Sequence, residues 1–246
     1  MPSTKKINDH KNTLIIAHRG VSGIEPENTV SAFISAANRS YFGIETDVHK
    51  TKDGKFILTH DDNAKRVTGA DVVIEETDFD TLRALKVFEK DGVSHRCDLY
   101  MPSLSEYIKI CKSYGKIAVL ELKNSFPKED VFEICDEIDA LDYLDGTIFI
   151  SFDINNLHFV REKHPTQAVQ FLIHRNRPED LPDDLIEKLA EYKFDLDIYY
   201  RLASPDFIKA CHEKGIKVNV WTVDEIPDAE ALIEAGIDFI TSNIIE

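Results

Sequence analysis

The 246-residue sequence has no uninterrupted apolar run approaching the roughly 20 residues that cross a bilayer. Its basic start, MPSTKKINDHKN, is not followed by the apolar stretch of a secretory signal. Both absences point to a cytoplasmic protein with no stable membrane association. An excess of basic residues is also missing: 29 Lys and Arg stand against 45 Asp and Glu, a formal net charge of −16. General nucleic-acid binding relies on Lys and Arg neutralising phosphates, so no such partner is expected. Cysteine is scarce and scattered. Cys97, Cys111, Cys135 and Cys211 form no CxxC pair, which leaves no zinc or redox motif and reads as four buried thiols. Neither a GxGxxG turn nor a P-loop is present, so a dinucleotide or nucleoside-triphosphate fold has no support. What remains, 43% hydrophobic and 30% charged, is the composition of an ordinary globular chain long enough to bury a sizeable core.

Short β-prone runs alternate with helical patterns along the whole chain. The runs are LIIAH (14–18), IETDV (44–48), KIAVLELK (116–123), TIFISF (147–152), AVQFLI (168–173), DLDIYY (195–200), VNVWTV (218–223) and DFITS (238–242). Helical stretches at 29–39, from Ser103 to Tyr114, and at 129–144, 155–163, 183–193, 204–214 and 228–235 separate them. Ser103 with Glu106 makes a capping box, Ser204-Pro205 makes an N-cap and first turn, and Gly115, Gly215 and Gly236 stop helices. The strand runs are nearly continuous in apolar residues rather than alternating, the mark of a sheet covered on both faces. Eight such units in this length predict a (β/α)8 TIM barrel, one domain over 1–246. One stretch breaks the rhythm: about 50–102 is too long for a βα loop and reads as a small insertion between strand 2 and helix 2. It opens with VHKTKDGKFILTHDD, two β-prone runs around Lys52-Asp53-Gly54, which predicts a hairpin that folds His60 back beside Thr46 or Asp47.

Active sites of such barrels lie at the C-terminal ends of the strands, where this chain gathers ionisable residues. The first run ends in His18-Arg19-Gly20, the second carries Glu45 and Asp47, and the third carries Glu121 and Lys123. Residues two apart on a strand share a face, so three carboxylates converge if that face points inward. Two carboxylates at ~4 Å repel by ~4 kcal/mol at an effective dielectric of about 20. A divalent cation relieves that repulsion, and an all-oxygen set suits Mg²⁺ or Ca²⁺ better than Zn²⁺. Pairing with Arg19 and Lys123 inside the barrel is the other reading, and the residues alone leave both open. His18 and His60, each commonplace alone, reach the same acidic cluster by independent routes. Histidine can give or take a proton near neutral pH, and Arg and Lys suit phosphate oxygens, so together the set predicts phosphoryl transfer.

At these residues the sequence resembles the glycerophosphodiester phosphodiesterase family, barrel enzymes of the phosphatidylinositol-phospholipase-C-like superfamily. The resemblance rests on HRG (18–20), PENT (26–29), ExD (45–47), HD (60–61) and ExK (121–123), with PSLSEY (102–107), YRL (200–202), VNVWTV (218–223) and GIDFITS (236–242) in support. It covers nearly the whole chain from Leu14 and implies hydrolysis of a small glycerophosphodiester to glycerol 3-phosphate and an alcohol. It further implies Glu45, Asp47 and Glu121 as ligands of one divalent cation, His18 and His60 as the acid–base pair, and Arg19 and Lys123 as phosphate holders. Two positions depart from the pattern: Thr241-Ser242 stands where the family often has Thr-Asp, and Thr46 stands where an apolar residue is usual. Trp221 reads equally as a wall for the glycerol unit or as a rim aromatic. A phospholipase-D-like enzyme making a cyclic phosphate from lipid, or a silent phosphate-binding barrel, are the alternatives. The charged insertion argues against the first and the presence of all five acids and histidines against the second. Head group, the order of the two histidines and the number of chains per assembly are left open.

Overall fold

The computed structural model describes residues 3–246. Nine strands form one sheet: β1 Leu14–Ala17, β2 Gly43–Lys50, β3 Phe56–Leu58, β4 Ile117–Leu122, β5 Thr147–Ser151, β6 Ala168–Ile173, β7 Asp195–Tyr199, β8 Val218–Trp221 and β9 Phe239–Ser242. All but β3 are parallel, and β1 pairs with both β2 and β9, which closes an eight-stranded barrel. The fold is the expected TIM barrel. Burial on both faces explains the apolar strands: Ile16, Val119, Ile150, Leu172 and Phe239 fill the interior, while the alternate residues join the larger core beneath the helices.

Seven helices follow the barrel strands: α1 Val30–Ala37, α4 Leu104–Tyr114, α5 Lys128–Asp139, α6 Ile154–Lys163, α7 Leu185–Tyr192, α8 Pro205–Glu213 and α9 Ile226–Glu234, with two short ones, α2 Lys65–Thr68 and α3 Phe79–Ala84, in the insertion. Their caps are those written in the sequence. Ser103 and Glu106 satisfy each other's backbone N–H groups, and the Ser204 hydroxyl accepts from the Phe207 N–H. The stretch read as helical over 129–144 is shorter, because the chain leaves the helix after Asp139 and turns through Asp142 at φ 52°. Tyr143 then donates its hydroxyl to the Lys116 carbonyl (2.8 Å). No helix among the described residues is long and apolar enough to cross a membrane.

The insertion folds as a hairpin followed by a small second core. Val48 pairs with Leu58, Lys50 with Phe56, and Gly54 takes the left-handed turn position at φ 80°. Ile57, Ile74, Leu82, Val87, Leu99 and Met101 form a cluster of their own, which gives this long crossover its own apolar support. Cys97 corrects the expectation of four buried thiols: it is exposed, while Cys111, Cys135 and Cys211 are buried. Leu99, two residues on, turns into the insertion's core. After β9 no helix follows. The tail runs back beside the N-terminal segment, with backbone bonds Lys5 to Ile244 and Ile7 to Glu246, and Ile7 and Ile245 close the core there.

Candidate active site

The first βα turn is built by its backbone. Arg19 at φ 53° and Gly20 at φ 73° reverse the chain, and a Cβ at Gly20 would lie 2.7 Å from Ala32. That turn drops the Arg19 N–H onto Glu45 Oε2 (2.8 Å) and aims the His18 ring at the barrel mouth. In-register pairing of β2 with β4 sets Asp47 beside Glu121, and period-two alternation adds Glu45 below. One oxygen from each of these three buried carboxylates lies within 4.8 Å of the others. The strand spacing thus brings together the three acids that the sequence singled out.

Asp47 is the best-held acid. Asn28 Nδ2 donates to Oδ2 (2.9 Å), and Thr46 Oγ1 donates to Asn28 Oδ1 (2.7 Å), so the hydroxyl at the unusual middle position of ExD fixes which way the amide faces. Arg19 Nε stands 3.8 Å from Oδ2 and Lys123 Nζ 3.6 Å from Oδ1. Burial works against the ionised form, but these two cations outweigh it and keep the carboxyl below its usual range. Oδ1 nonetheless has no hydrogen-bond partner. Glu45 is pushed well up by burial and by Asp47, and Glu121 is pushed up to about 7 by the same two causes, despite Lys123 at 2.8 Å. A buried set with excess negative charge and an orphaned acceptor fits a divalent cation held by oxygen.

The two histidines share a geometry and differ in partner. Asn243 Nδ2 donates to Asp224 Oδ2 (2.6 Å), which turns Asn243 Oδ1 toward Ser22 and His18; His18 therefore donates from Nδ1 (2.7 Å) and keeps Nε2 for the site, 4.0 Å from Glu45 Oε2. Burial and the neighbouring Arg19 push His18 down to about 4, so the ring is neutral at pH 7. His60 sits where the hairpin was expected to bring it: Thr59 N–H bonds the Asp47 carbonyl (3.1 Å) one position earlier. Its Nδ1 bonds the Asp61 carboxylate (2.7 Å); burial lowers its pKa, while Asp47 and Asp61 oppose that.

Behind them lies a charge chain that sequence reading left without a role. Arg66 from α2 grips Asp61 (2.6 Å) and, with both terminal nitrogens, Glu27 (2.9 and 2.8 Å); Glu27 in turn accepts from Arg19 (2.9 Å). Glu27 and Asn28 were visible within PENT, whereas Arg66, Asp224 and Asn243 lay in no motif. Asp224 also stands beside Ser242. Ser242 donates to Asp224 Oδ1 (3.0 Å), which supplies a carboxylate at this rim from the β8–α9 loop.

A cavity of about 120 Å³ opens between these groups. His18, Arg19, His60, Glu45 and Glu121 line it, together with Ile150, Phe152, Leu172, Asp197, Trp221, Thr222 and Thr241. Trp221 stands at the wall, edge-on to Phe152 with ring centroids 5.9 Å apart. Lys123 does not line this cavity. It faces the adjoining surface groove formed with Glu121, Asn124 and Phe152.

Residues 18–246 match the glycerophosphoryl diester phosphodiesterase family. The chain belongs to that family. Among similar proteins, a glycerophosphodiester phosphodiesterase of Caldanaerobacter subterraneus subsp. tengcongensis is 28% identical over 94% of each chain. A phosphodiesterase of Oleispira antarctica, solved with the product sn-glycerol-3-phosphate, superposes with a TM-score of 0.81 at 25% identity over 94% of this chain and 93% of its own. A glycerophosphodiester phosphodiesterase of Parabacteroides distasonis gives 0.77 at 26% identity with the same coverage. The family is one of phosphoric diester hydrolases, so the chain is an enzyme of that class.

Proposed function

We propose that the chain hydrolyses small glycerophosphodiesters to glycerol 3-phosphate and an alcohol, with Glu45, Asp47 and Glu121 holding one Mg²⁺ or Ca²⁺ ion. The observation that carries this reading is the buried triad of carboxylates flanked by two histidines whose Nδ1 atoms are both committed elsewhere. When bound, the cation supplies charge neutralisation and polarises the phosphoryl group. Arg19 holds phosphate oxygens in the cavity, and Lys123 reaches them from the adjoining groove beside Glu121. His18, neutral and paired only with an amide oxygen, takes the proton of the attacking oxygen at Nε2. His60, whose pKa burial lowers, is backed by the Asp61 carboxylate, which favours the imidazolium against that lowering; it gives its proton to the leaving alkoxide as the phosphorus–oxygen bond breaks.

A water-soluble substrate is supported by the surroundings. Among the described residues, Phe152 is the large exposed apolar side chain at the cavity, and the insertion beside it is charged. We further propose that the chain from 1 to 246 acts as one domain. Incubation with glycerophosphocholine, glycerophosphoethanolamine and glycerophosphoinositol plus Mg²⁺ or Ca²⁺, followed by ³¹P NMR, tests the activity. Linear glycerol 3-phosphate is the expected product; a persistent cyclic phosphate, or no turnover of any member, contradicts it.

A further inference from the structure

Asp197 belongs to none of the groups above, yet it faces the same cavity as His18, His60 and Glu121. It lies on β7, 2% exposed, between Leu172 of β6 and Asn219 of β8. Leu172 offers no polar atom. The Asn219 amide is committed: it donates to Gln170 Oε1 (3.1 Å) and accepts from Thr241 Oγ1 (3.2 Å). Asp197 Oδ1 is buried with no hydrogen-bond partner in the protein, and the residue lines the cavity. Buried polar atoms are nearly always satisfied, so the missing partner is one that arrives in the cavity.

The chemistry of that partner can be narrowed. Asp197 is not among the three acids whose oxygens lie within 4.8 Å of one another, so it is no fourth member of that triad. An ionised carboxylate repels a phosphate oxygen, and toward a neutral carboxyl a phosphate oxygen can only accept. An alcohol hydroxyl satisfies it in either protonation state. Burial, and after it Glu121, push the Asp197 carboxyl well above its usual range.

We propose that Asp197 recognises a hydroxyl of the substrate's polyol portion and so sets the preference for glycerol phosphates over phosphates of plain alkyl alcohols. This rests on the proposed use of the same cavity for glycerophosphodiesters. A polar group built to meet a hydroxyl discriminates against the analogue lacking it, because its absence leaves the carboxyl unsatisfied. The effect needs no turnover to be seen.

Calorimetric titration of the full chain in Mg²⁺ buffer with sn-glycerol 3-phosphate and with n-propyl phosphate tests it. The wild type is expected to bind the glycerol compound at least about tenfold more tightly. Asp197→Ala should bring the two affinities within about twofold, and Asp197→Asn, whose amide both donates and accepts, should keep a measurable preference. If the alanine variant does not fold, Asp197→Leu fills the space without a polar atom and serves in its place. A wild type with no preference, or an alanine or leucine variant that retains it, overturns the assignment. Turnover of glycerophosphocholine by the wild type is followed alongside. Turnover without hydroxyl preference sinks only the role of Asp197. Preference without turnover sinks the proposed activity and leaves the role of Asp197 standing.

Discussion

His18 and His60 reach one site from opposite sides of the acidic triad, each anchored through Nδ1. Replacing either with Ala should lower kcat by at least about 10²-fold while the melting temperature holds, since acid–base groups contribute about that much. Circular dichroism with steady-state kinetics checks both, and near-wild-type turnover removes the assignment. Arg66 offers a separate test. It touches no cavity residue but His60's partner Asp61 and Arg19's partner Glu27. Arg66→Ala should therefore lower kcat by roughly tenfold by loosening both. Its effect on stability should stay under about 1 kcal/mol, because the ion pairs are half-exposed. Arg66→Lys, which cannot grip two carboxylates with a planar fork, should rescue little. Of these residues the sequence displayed the chemistry-bearing ones through their spacing on strands. It hid the partners, Asn243, Asp224 and Arg66, because loops far apart in the chain bring them in and no periodicity marks them.

At the level of elements, the first βα turn and the β2–β3 hairpin carry the site. Gly20→Ala should cost at least about 1–2 kcal/mol from the left-handed backbone alone, and more from the close approach of Ala32. Because the same turn aims His18 and the Arg19 N–H, activity should fall with stability; a thermal melt and a rate measurement on the one variant show both. Strands were legible because double-sided burial leaves a continuous apolar run, and helices because Ser103 and Ser204 cap them. The hairpin was legible too, down to the placing of His60, since its register follows from the turn at Gly54. Harder to read were the ends set by tertiary contact, such as α5, which stops at Asp139 where Tyr143 binds the Lys116 carbonyl. Cys97 was misplaced for a similar reason. Loop residues face whichever way the insertion's core leaves them, and apolar neighbours in sequence do not decide it.

Across the whole molecule, one end of the barrel concentrates negative charge within a chain that is already strongly acidic. Glu121 holds its proton up to about pH 7 when folded, against an ordinary carboxyl near 4.5, so the cation-free protein gains stability from it at low pH. That gain fades as pH rises from about 4.5 through about 7. A divalent cation needs the ionised form, so the rise in melting temperature on adding Mg²⁺ or Ca²⁺ should grow between pH 5 and about 8. A pH-independent shift, or none, contradicts the assignment of Glu121 as a ligand. The barrel itself was readable from eight repeated units. The closing contact of residues 5–7 with the tail after β9 was not, because it joins two short segments at opposite ends of the chain.

The most direct measurement is the rate of glycerol 3-phosphate release from glycerophosphocholine as Mg²⁺ or Ca²⁺ is titrated into chelator-treated protein. The rate should rise from background and saturate at one bound cation per chain. The same rate before any cation is added, or none at saturation, would show that the three acids serve only the architecture of the barrel.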